Sequence, residues 1–393
     1  MRSIAVVSVG RSDYGIYLPL LRAIQADAAF NLHLIVGGMH LSESFGFTAR
    51  MIEADGFDIA DRVEMLTDAD TPISIAHAIG QGVTRFSRSF LAERPDILVV
   101  LGDRYEMFAA VVAAFPFNIP IAHIHGGELT LGAMDDALRH AITKFSHLHF
   151  VSTSEYARRV IQLGEEPWRV SISGSPSLDN LASIQLLDRT ALESRIKFNL
   201  QNPTLLVTFH PVTLQPGMAG QQTEELLSAI EQSACQAVFT LPNADTGNQD
   251  IRERILGYVH SHPGTVFVDN LGTQAYFSLM KFSVAMVGNS SSGIIEAASF
   301  ELPVVNVGLR QAGRARGINV IDVNCTAGEI LQGIRQALSP SFKATLKNMG
   351  NPYHHGSATG IITERLKNVP LDEKLLIKSF YDLPANLGVV SDD

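Results

Sequence analysis

Charged side chains follow two apolar runs of the sequence, at the point where each run ends. The runs Asp96–Leu101 and Ile119–His123 have the composition of buried strands. Because charged residues at the carboxyl ends of parallel strands face the ligand crevice, we expect acid/base chemistry on a bound small molecule there. The candidate catalytic residues are Asp103, His125, Glu128, Asp135 and Arg139.

A second polar segment, Asn289-Ser290-Ser291-Ser292-Gly293-Ile294-Ile295-Glu296, follows an apolar strand and opens a helix. Small residues at such a place let a phosphate approach free backbone N–H groups, and the helix dipole favours its charge. Ser290 and Ser291 are therefore candidate phosphate ligands, and Glu296 would accept hydrogen bonds from ribose hydroxyls. The alternative is an ordinary serine N-cap with Glu296 as its capping-box partner.

Four further positions could bind an anionic ligand. Arg11 lies in the turn after the first strand, and His210 ends the first strand of the second half. Asn243 follows a later strand, and Arg310 belongs to a group of three arginines within seven residues. In a chain of net charge −10, that group suits an anion better than a solvated surface. A solvated arginine at the first position and a core histidine at the second remain the alternatives.

The sequence lacks the common cofactor motifs. The turn Gly10-Arg11-Ser12-Asp13-Tyr14-Gly15 has no spaced glycines of a dinucleotide fingerprint, and no P-loop occurs. His123 and His125 have a spacing that places both imidazoles on one face of a strand, so a metal site has to be considered. Its other ligands would have to come from later strands, whereas the available histidines lie on or after a helix. We therefore predict neither a nicotinamide cofactor nor a metal.

The composition indicates a globular protein of two domains. The chain has 393 residues, of which 46% are hydrophobic and 18% charged. Its acidity argues against nucleic acid or an anionic membrane as partner. No run approaches the ~18 apolar residues of a membrane span, and the N-terminal apolar stretch is too short for a signal peptide. The two cysteines, Cys235 and Cys325, indicate no disulfide framework and fit a reducing cytoplasm.

Apolar runs alternate with helical patterns along both halves of the chain. The predicted strands are Ile4–Val9, Leu32–Val36, Asp96–Leu101, Ile119–Ile124, His149–Val151 and Val170–Ser173, then Leu205–Thr208, Ala237–Thr240, Val266–Asp269, Ala285–Val287, Val304–Val307 and Val320–Ile321. The predicted helices between them include Ile16–Gln25, Asp135–Phe145 and Ala327–Leu338. This alternation predicts an α/β fold with two Rossmann-like domains facing each other across a cleft. We place the domains at residues 1–180 and 200–356. A helical tail, 357–393, would pack back on the first domain.

Together these motifs resemble the UDP-N-acetylglucosamine 2-epimerases, most closely their hydrolysing branch, which feeds sialic and legionaminic acid synthesis. The matching segments are Gly10–Gly15, Leu101–Arg104, His123–Glu128, Asp135–Lys144, Gly174–Pro176, His210-Pro211, Pro242–Asp245, Gly288–Glu296 and Asn351–Tyr353. They occur in order along nearly the whole chain. The block that begins Asp135-Asp136-Ala137 favours the hydrolysing branch.

The resemblance implies a GT-B-like fold with UDP held mainly by the second domain. It implies anti elimination of UDP from a UDP-activated amino sugar to give a glycal, followed by addition of water with inversion at C2. The products would be UDP and free N-acetylmannosamine or a related amino sugar. It also implies a homodimer and a reaction that needs no cofactor.

Residue roles follow from the same resemblance. Asp103 and Asp135 would act as acid and base, and Glu296 would bind the ribose. Tyr276 would stack on uracil. The phosphates would be bound by Arg11, Arg104, His210, Ser290, Ser291 and Arg310. His125 stands where many members carry Glu, so either its imidazole takes that role or Glu128 moves in.

Three alternatives remain at this point. UDP-N,N′-diacetylbacillosamine differs from UDP-N-acetylglucosamine only at C4 and C6 and would undergo the same reaction. A GT-B glycosyltransferase would share the fold and the nucleotide pocket but would need one base instead of several acids. A nucleotide-sugar sensor would have no use for the acidic cluster.

Overall fold

The chain folds around two parallel β-sheets, each flanked by helices. A computed structural model describes residues 1–66, 71–131, 133–212, 214–240, 242, 245, 247–269 and 271–383. In these ranges the first sheet has seven strands in the order β3-β2-β1-β4-β5-β6-β7, and the second has six in the order β10-β9-β8-β11-β12-β13. Every recorded strand pair is parallel.

The first sheet and its helices account for the first half of the chain. Its strands are β1 (Arg2–Ser8), β2 (Phe30–Gly37), β3 (Ile59–Val63), β4 (Ile97–Leu101), β5 (Ile121–Ile124), β6 (Leu148–Val151) and β7 (Val170–Ile172). The helices are α1 (Arg11–Ala26), α2 (Ala49–Ala54), α3 (Pro72–Ala92), α4 (Tyr105–Ala114), α5 (Asp135–Phe145), α6 (Ser154–Gln162), α7 (Asp179–Ser183) and α8 (Arg189–Ile196).

The second sheet repeats this architecture. Its strands are β8 (Thr204–Thr208), β9 (Gln236–Thr240), β10 (Thr265–Val268), β11 (Ala285–Gly288), β12 (Val304–Val307) and β13 (Val320–Val323). The helices that follow in this half of the chain are α9 (Ala219–Ser233), α10 (Asn248–Ser261), α11 (Gly272–Phe282), α12 (Ser291–Ile295), α13 (Ala327–Leu338), α14 (Pro340–Thr345), α15 (Ala358–Asn368) and α16 (Glu373–Leu376), of which the last two pack on the first sheet. Among the described residues, no helix is both long and apolar enough to span a membrane.

Each sheet has a point where the strand order reverses. In the first sheet β1 lies beside β4, and in the second β8 lies beside β11. Loops after such neighbouring strands diverge to opposite faces, which opens a crevice at the carboxyl ends. At the second crevice Gly288 is required, because a Cβ there would come within 2.0 Å of the Thr208 carbonyl oxygen.

Buried aliphatic and aromatic side chains form cores on both faces of each sheet. The C-terminal residues Ile362, Leu366, Val369 and Leu375 belong to the same cluster as Ile4 of the first sheet. Burial of this apolar surface ties the end of the chain to the first half. The domain limits given above stay a prediction.

Two of the differences between the structure and the predicted elements have a clear physical reason. Strand β3 was not predicted, because its central Asp61 and Arg62 interrupt the apolar pattern at this edge of the sheet. Helix α1 begins at Arg11 instead of Ile16, so Arg11 lies in the first helical turn and not in a loop. Asp13 stabilises this start, since its carboxylate accepts the N–H groups of Val9 at 2.7 Å and Gly10 at 2.8 Å.

Candidate active site

A cavity of about 780 Å³ lies between the two halves, at the carboxyl ends of both sheets. It adjoins both reversal points, where crevices are expected to bind ligands. Asn243 lies outside the described residues. All other predicted site residues line the cavity, namely Arg11, Asp103, Arg104, His125, Glu128, Asp135, Arg139, His210, Tyr276, Ser290, Ser291, Glu296 and Arg310.

Two carboxyl groups of the first half lie close together in this cavity. Asp103 follows β4 and forms an ion pair with Arg139 of α5. Asp135 is the first residue of α5, and its Oδ2 has no hydrogen-bond partner among the described residues. Burial, together with the nearby charges of Asp103 and Asp245, raises the pKa of Asp135 to about 8. The neutral form of the Asp135 carboxyl group is therefore favoured in the folded protein.

Arg139 holds Asp103, the arginine-paired member of the two carboxyl groups, in place. Besides Asp103, its guanidinium donates to the His125 carbonyl oxygen at 2.8 Å and to Thr130 Oγ1 at 3.1 Å. Its side chain is only 2% exposed. Three contacts of a buried, planar guanidinium leave the Arg139 side chain little freedom. Arg139 therefore fixes the orientation of the Asp103 carboxylate.

His125 and Glu128 form a buried network beside the acids. His125 Nδ1 lies 2.7 Å from Glu128 Oε1, and its Nε2 lies 3.1 Å from Ser175 Oγ. Glu128 also accepts from Ser152 Oγ at 3.1 Å and pairs with Arg314 at 3.1 Å. Burial by itself would raise the pKa of Glu128. The charges of Arg314 and His125 outweigh this effect and hold the pKa of Glu128 well below its usual range. Glu128 is thus a fixed carboxylate that joins the two halves.

The backbone at His125 is also constrained. Its φ of 65° lies in the left-handed region, which a residue with a Cβ seldom adopts. The His125 N–H donates to the Phe150 carbonyl at 2.9 Å, which holds the turn after β5 against β6. Strain of this kind is typical of functional sites, where surrounding contacts over-determine the conformation.

The paired histidines of the H-x-H segment have their ring nitrogens engaged. His123 Nε2 lies 2.8 Å from the Gly102 carbonyl, and its Nδ1 lies 3.2 Å from Thr143 Oγ1. Burial lowers the pKa of His123 to about 3, so it is a neutral core histidine. Within the described part of the chain, no group of three or more His, Cys, Asp and Glu side chains is placed to hold a metal ion.

The serine loop of the second half faces the acids across the cavity. Ser290 is the N-cap of α12, and its Oγ accepts the Ser292 N–H at 3.3 Å. The third helical position is Gly293, so the alternative of a capping box with Glu296 is wrong. Glu296 Oε1 instead accepts from Ser177 Oγ of the first half at 2.5 Å. Burial raises the pKa of Glu296 to about 7.

Tyr276 belongs to α11 and reaches the same loop. Its hydroxyl interacts with the side chains of Ser292, Thr208 and Ser290, and burial raises its pKa to about 12. The backbone of His210 is held by Asn289, whose side chain accepts the His210 N–H at 2.7 Å and donates to its carbonyl at 2.9 Å. Stacking of Tyr276 on uracil stays a prediction.

The cavity also contains cationic groups from both halves. Arg11 donates to the Asp269 carbonyl oxygen, and burial lowers its pKa. Arg104 pairs with Glu106 at 3.2 Å, and Arg310 donates to the Asn289 carbonyl at 3.3 Å. A cluster of guanidinium groups in a chain of net charge −10 suits an anionic ligand such as a diphosphate.

Comparison with known proteins agrees with this architecture. The sequence model of the UDP-N-acetylglucosamine 2-epimerases matches residues 22–367. The chain belongs to this 2-epimerase family. The resemblance stated from the sequence motifs is therefore confirmed.

Two relatives match the chain over nearly its whole length. The Campylobacter jejuni protein named GDP/UDP-N,N′-diacetylbacillosamine 2-epimerase (hydrolyzing) is 40% identical over 97% of this chain and 99% of its own. The Escherichia coli polysialic acid biosynthesis protein P7 is 36% identical over 98% of each chain. A crystal structure of Neisseria meningitidis UDP-GlcNAc 2-epimerase bound to UDP-GlcNAc aligns with a TM-score of 0.80 over 93% of this chain and 99% of that one, at 18% identity. This likeness confirms the GT-B-like fold.

Three residues make contacts at the site that the sequence did not predict. Ser177 lies beside the Gly174-Ser175-Pro176 motif, and Arg314 lies among the three arginines after β12. Asp245 follows Asn243 in a polar segment after β9, and it contacts two arginines of the cavity. The sequence signal available for Asp245 was its position just after a strand. No such signal was available for Ser177, because its contact with Glu296 joins residues 119 positions apart.

Proposed function

We propose that this protein is a hydrolysing UDP-sugar 2-epimerase that converts UDP-N-acetylglucosamine and water into UDP and N-acetylmannosamine. One observation carries the proposal. The protonated Asp135 and the arginine-paired Asp103 line the same cavity as the serine loop and the cationic groups. A carboxyl group that favours its protonated form, beside a second one held by an arginine, provides the two groups that proton delivery and proton removal require.

The first step is elimination. Asp103 removes the proton from C2, the C2–H electrons form the C1=C2 bond of a glycal, and the C1–O bond breaks with its electrons on the departing UDP. The Arg139 guanidinium orients Asp103 for this role. Arg104 and Arg310 stabilise the charge that develops on the diphosphate.

The second step adds water across the double bond. Asp135 delivers its proton to the opposite face of C2, water adds its oxygen to C1, and the proton released from water returns to Asp135. The proton on Asp103 passes to solvent. Delivery from the opposite face inverts C2, so the sugar product is N-acetylmannosamine.

Glu128 and His125 support these groups in the proposal. Glu128 is fully buried and committed to His125, Ser152 and Arg314. These contacts favour a positioning role for Glu128 over movement toward the sugar. His125 reaches the cavity with both ring nitrogens engaged, and its carbonyl holds Arg139.

A second candidate substrate is UDP-N,N′-diacetylbacillosamine. The 40% identical relative from Campylobacter jejuni carries that substrate in its name. The same two steps would apply, because the substitutions at C4 and C6 leave C1 and C2 unchanged. The product of either reaction is a free 2-epimerised amino sugar, the kind of compound that sialic or legionaminic acid synthesis consumes.

The test is incubation of the purified protein with each nucleotide sugar in D2O. We expect release of UDP with deuterium at C2 of the free sugar, because Asp135 exchanges its proton with solvent before delivering it. Release of UDP without deuterium at C2 would contradict elimination and favour a glycosyltransferase or simple hydrolase. The faster nucleotide sugar identifies the substrate.

Two variants separate the halves of the site. Asp103→Asn should lower turnover by several orders of magnitude while UDP still binds, whereas Glu296→Ala should chiefly weaken UDP binding. Loss of both properties in both variants would contradict this division of labour. A homodimer and a cytoplasmic location, expected from the family resemblance and the composition, complete the proposal, and sedimentation velocity tests the dimer.

A further inference from the structure

Asp245 joins two arginines that come from opposite halves of the molecule. Its Oδ1 lies 3.5 Å from Arg104 Nη1, and its Oδ2 lies 4.0 Å from Arg310 Nη2. The side chain of Asp245 is only 8% exposed, and those of the arginines are 13% and 12% exposed. Ion pairs between side chains of such low exposure are screened less by solvent than those at a surface.

Both arginines are oriented so that one edge faces Asp245. Arg104 uses Nε and Nη2 for the buried Glu106, which leaves Nη1 for Asp245. Arg310 uses Nη1 for the Asn289 carbonyl, which leaves Nη2 for Asp245. Asp245 thus occupies guanidinium nitrogens of both arginines that an anion bridging them could otherwise contact.

We propose that Asp245 is a positioning residue that competes with the substrate diphosphate for Arg104 and Arg310 and so promotes release of UDP. This inference rests on the proposed function, which assigns the same two arginines to the diphosphate. Two anions cannot share the same guanidinium edges at full strength, because each would repel the other at short distance. Bound diphosphate therefore displaces the carboxylate, and the carboxylate returns as UDP leaves.

The competition predicts an inverse effect of mutation on binding. Asp245→Asn removes the competing charge and leaves the arginines free for the diphosphate. UDP should bind about tenfold tighter, within the range that single close charge pairs contribute at interfaces. The gain should come from slower dissociation, so kcat and KM should fall together. If Asp245 only held the arginines in place, its loss would weaken UDP binding instead.

A second readout comes from the acid in the same cavity. Asp103, Asp245, Arg310 and Arg104 are the charged groups that act on Asp135. Removal of the Asp245 charge lowers the pKa of Asp135, so the alkaline limb of the pH–rate profile should move to lower pH. An unchanged limb would count against the proposal, because a carboxylate at this place must act on Asp135.

The experiment measures binding of UDP and of inorganic pyrophosphate to the full-length chain by calorimetry, with UDP dissociation followed by stopped flow. The variants are Asp245→Asn, Asp245→Ala and the charge-retaining Asp245→Glu, with Asp250→Asn as matched control. Asp250 lies on the exposed face of α10 and pairs with Arg254. Tighter UDP and pyrophosphate binding in the first two variants, and wild-type affinity in the other two, is the expected result.

Unchanged or weaker binding in Asp245→Asn would overturn the inference, and Asp245→Ala decides the matter if the amide variant does not fold. Failure of the wild-type protein to bind UDP at all would instead refute the proposed function. The two failures are therefore distinguishable.

Discussion

Replacement of Asp135 by Asn should abolish activity and at the same time stabilise the fold. The folded carboxyl has a pKa of about 8, against 3.8 for the ordinary group. Between these values the folded state binds one more proton than the unfolded state, so stability falls as pH rises through this window. Asn carries no titrating proton and has nearly the same shape, so the variant should escape this loss.

The magnitude follows from the pH interval. At pH 7 about three pKa units separate the solution pH from the unfolded value, and each unit corresponds to about 1.4 kcal/mol. The upper limit of the gain is therefore about 4 kcal/mol at pH 7. It should shrink to roughly 1–2 kcal/mol at pH 5, where the unfolded carboxyl is closer to its own pKa. The amide must find new partners at the start of α5, so we expect about half the limit.

The assay is chemical and thermal unfolding of both proteins at pH 5 and pH 7. Asp136→Asn is the matched control on the same helix, because the Asp136 carboxylate already accepts the Thr130 N–H at 2.6 Å and should bring no gain. Turnover in D2O should be lost in Asp135→Asn, with UDP binding retained. A variant less stable than wild type at pH 7, or a gain that does not change with pH, would refute the reasoning.

Three further outcomes are expected. The rate of sugar release should fall about tenfold per pH unit above pH 8, because Asp135 then loses the proton it delivers; a pH–rate profile flat to pH 10 would contradict this role. Arg314→Leu should lower the free energy of unfolding by about 3–5 kcal/mol, since it leaves the buried Glu128 without its 3.1 Å partner, and Arg314→Lys should recover part of the loss in urea titrations. Lys378→Met should speed proteolysis within residues 373–383, because Lys378 ties the C-terminal segment to Glu165 at 2.7 Å and to the Ser146 carbonyl at 2.6 Å; an unchanged cleavage pattern would show that apolar packing suffices.

Most strands and longer helices could be predicted because each has a strong local signature. Helices α5 and α13 have the bounds that their amphipathic patterns predict, and β12 has the bounds of its apolar run. Strand β3 was not predicted, because an edge strand exposes alternate residues and tolerates charged side chains. The start of α1 was not predicted, because Gly15 interrupts the helical pattern of the sequence. In the structure the Asp13 side chain stabilises the first turn of the helix in spite of this glycine.

The candidate site could be predicted to the extent that it follows strand ends. Parallel strands point their carboxyl ends in one direction, so polar residues that follow β1, β4, β8 and β11 must meet if the sheets face each other. This rule is sufficient to bring Arg11, Asp103, His210 and Ser290 to one cavity. The order of the motifs along the chain likewise identified the family.

Protonation and pairing could not be read from residue types. Asp103 and Asp135 are the same amino acid, and only burial and neighbouring charges make one a guanidinium-paired carboxylate and the other a protonated acid. Likewise, Glu128 links the two halves of the molecule because Arg314 of the second half forms an ion pair with it. Local sequence thus specified the elements and the chemical groups, whereas the packing of distant segments set the electric field that gives each group its role.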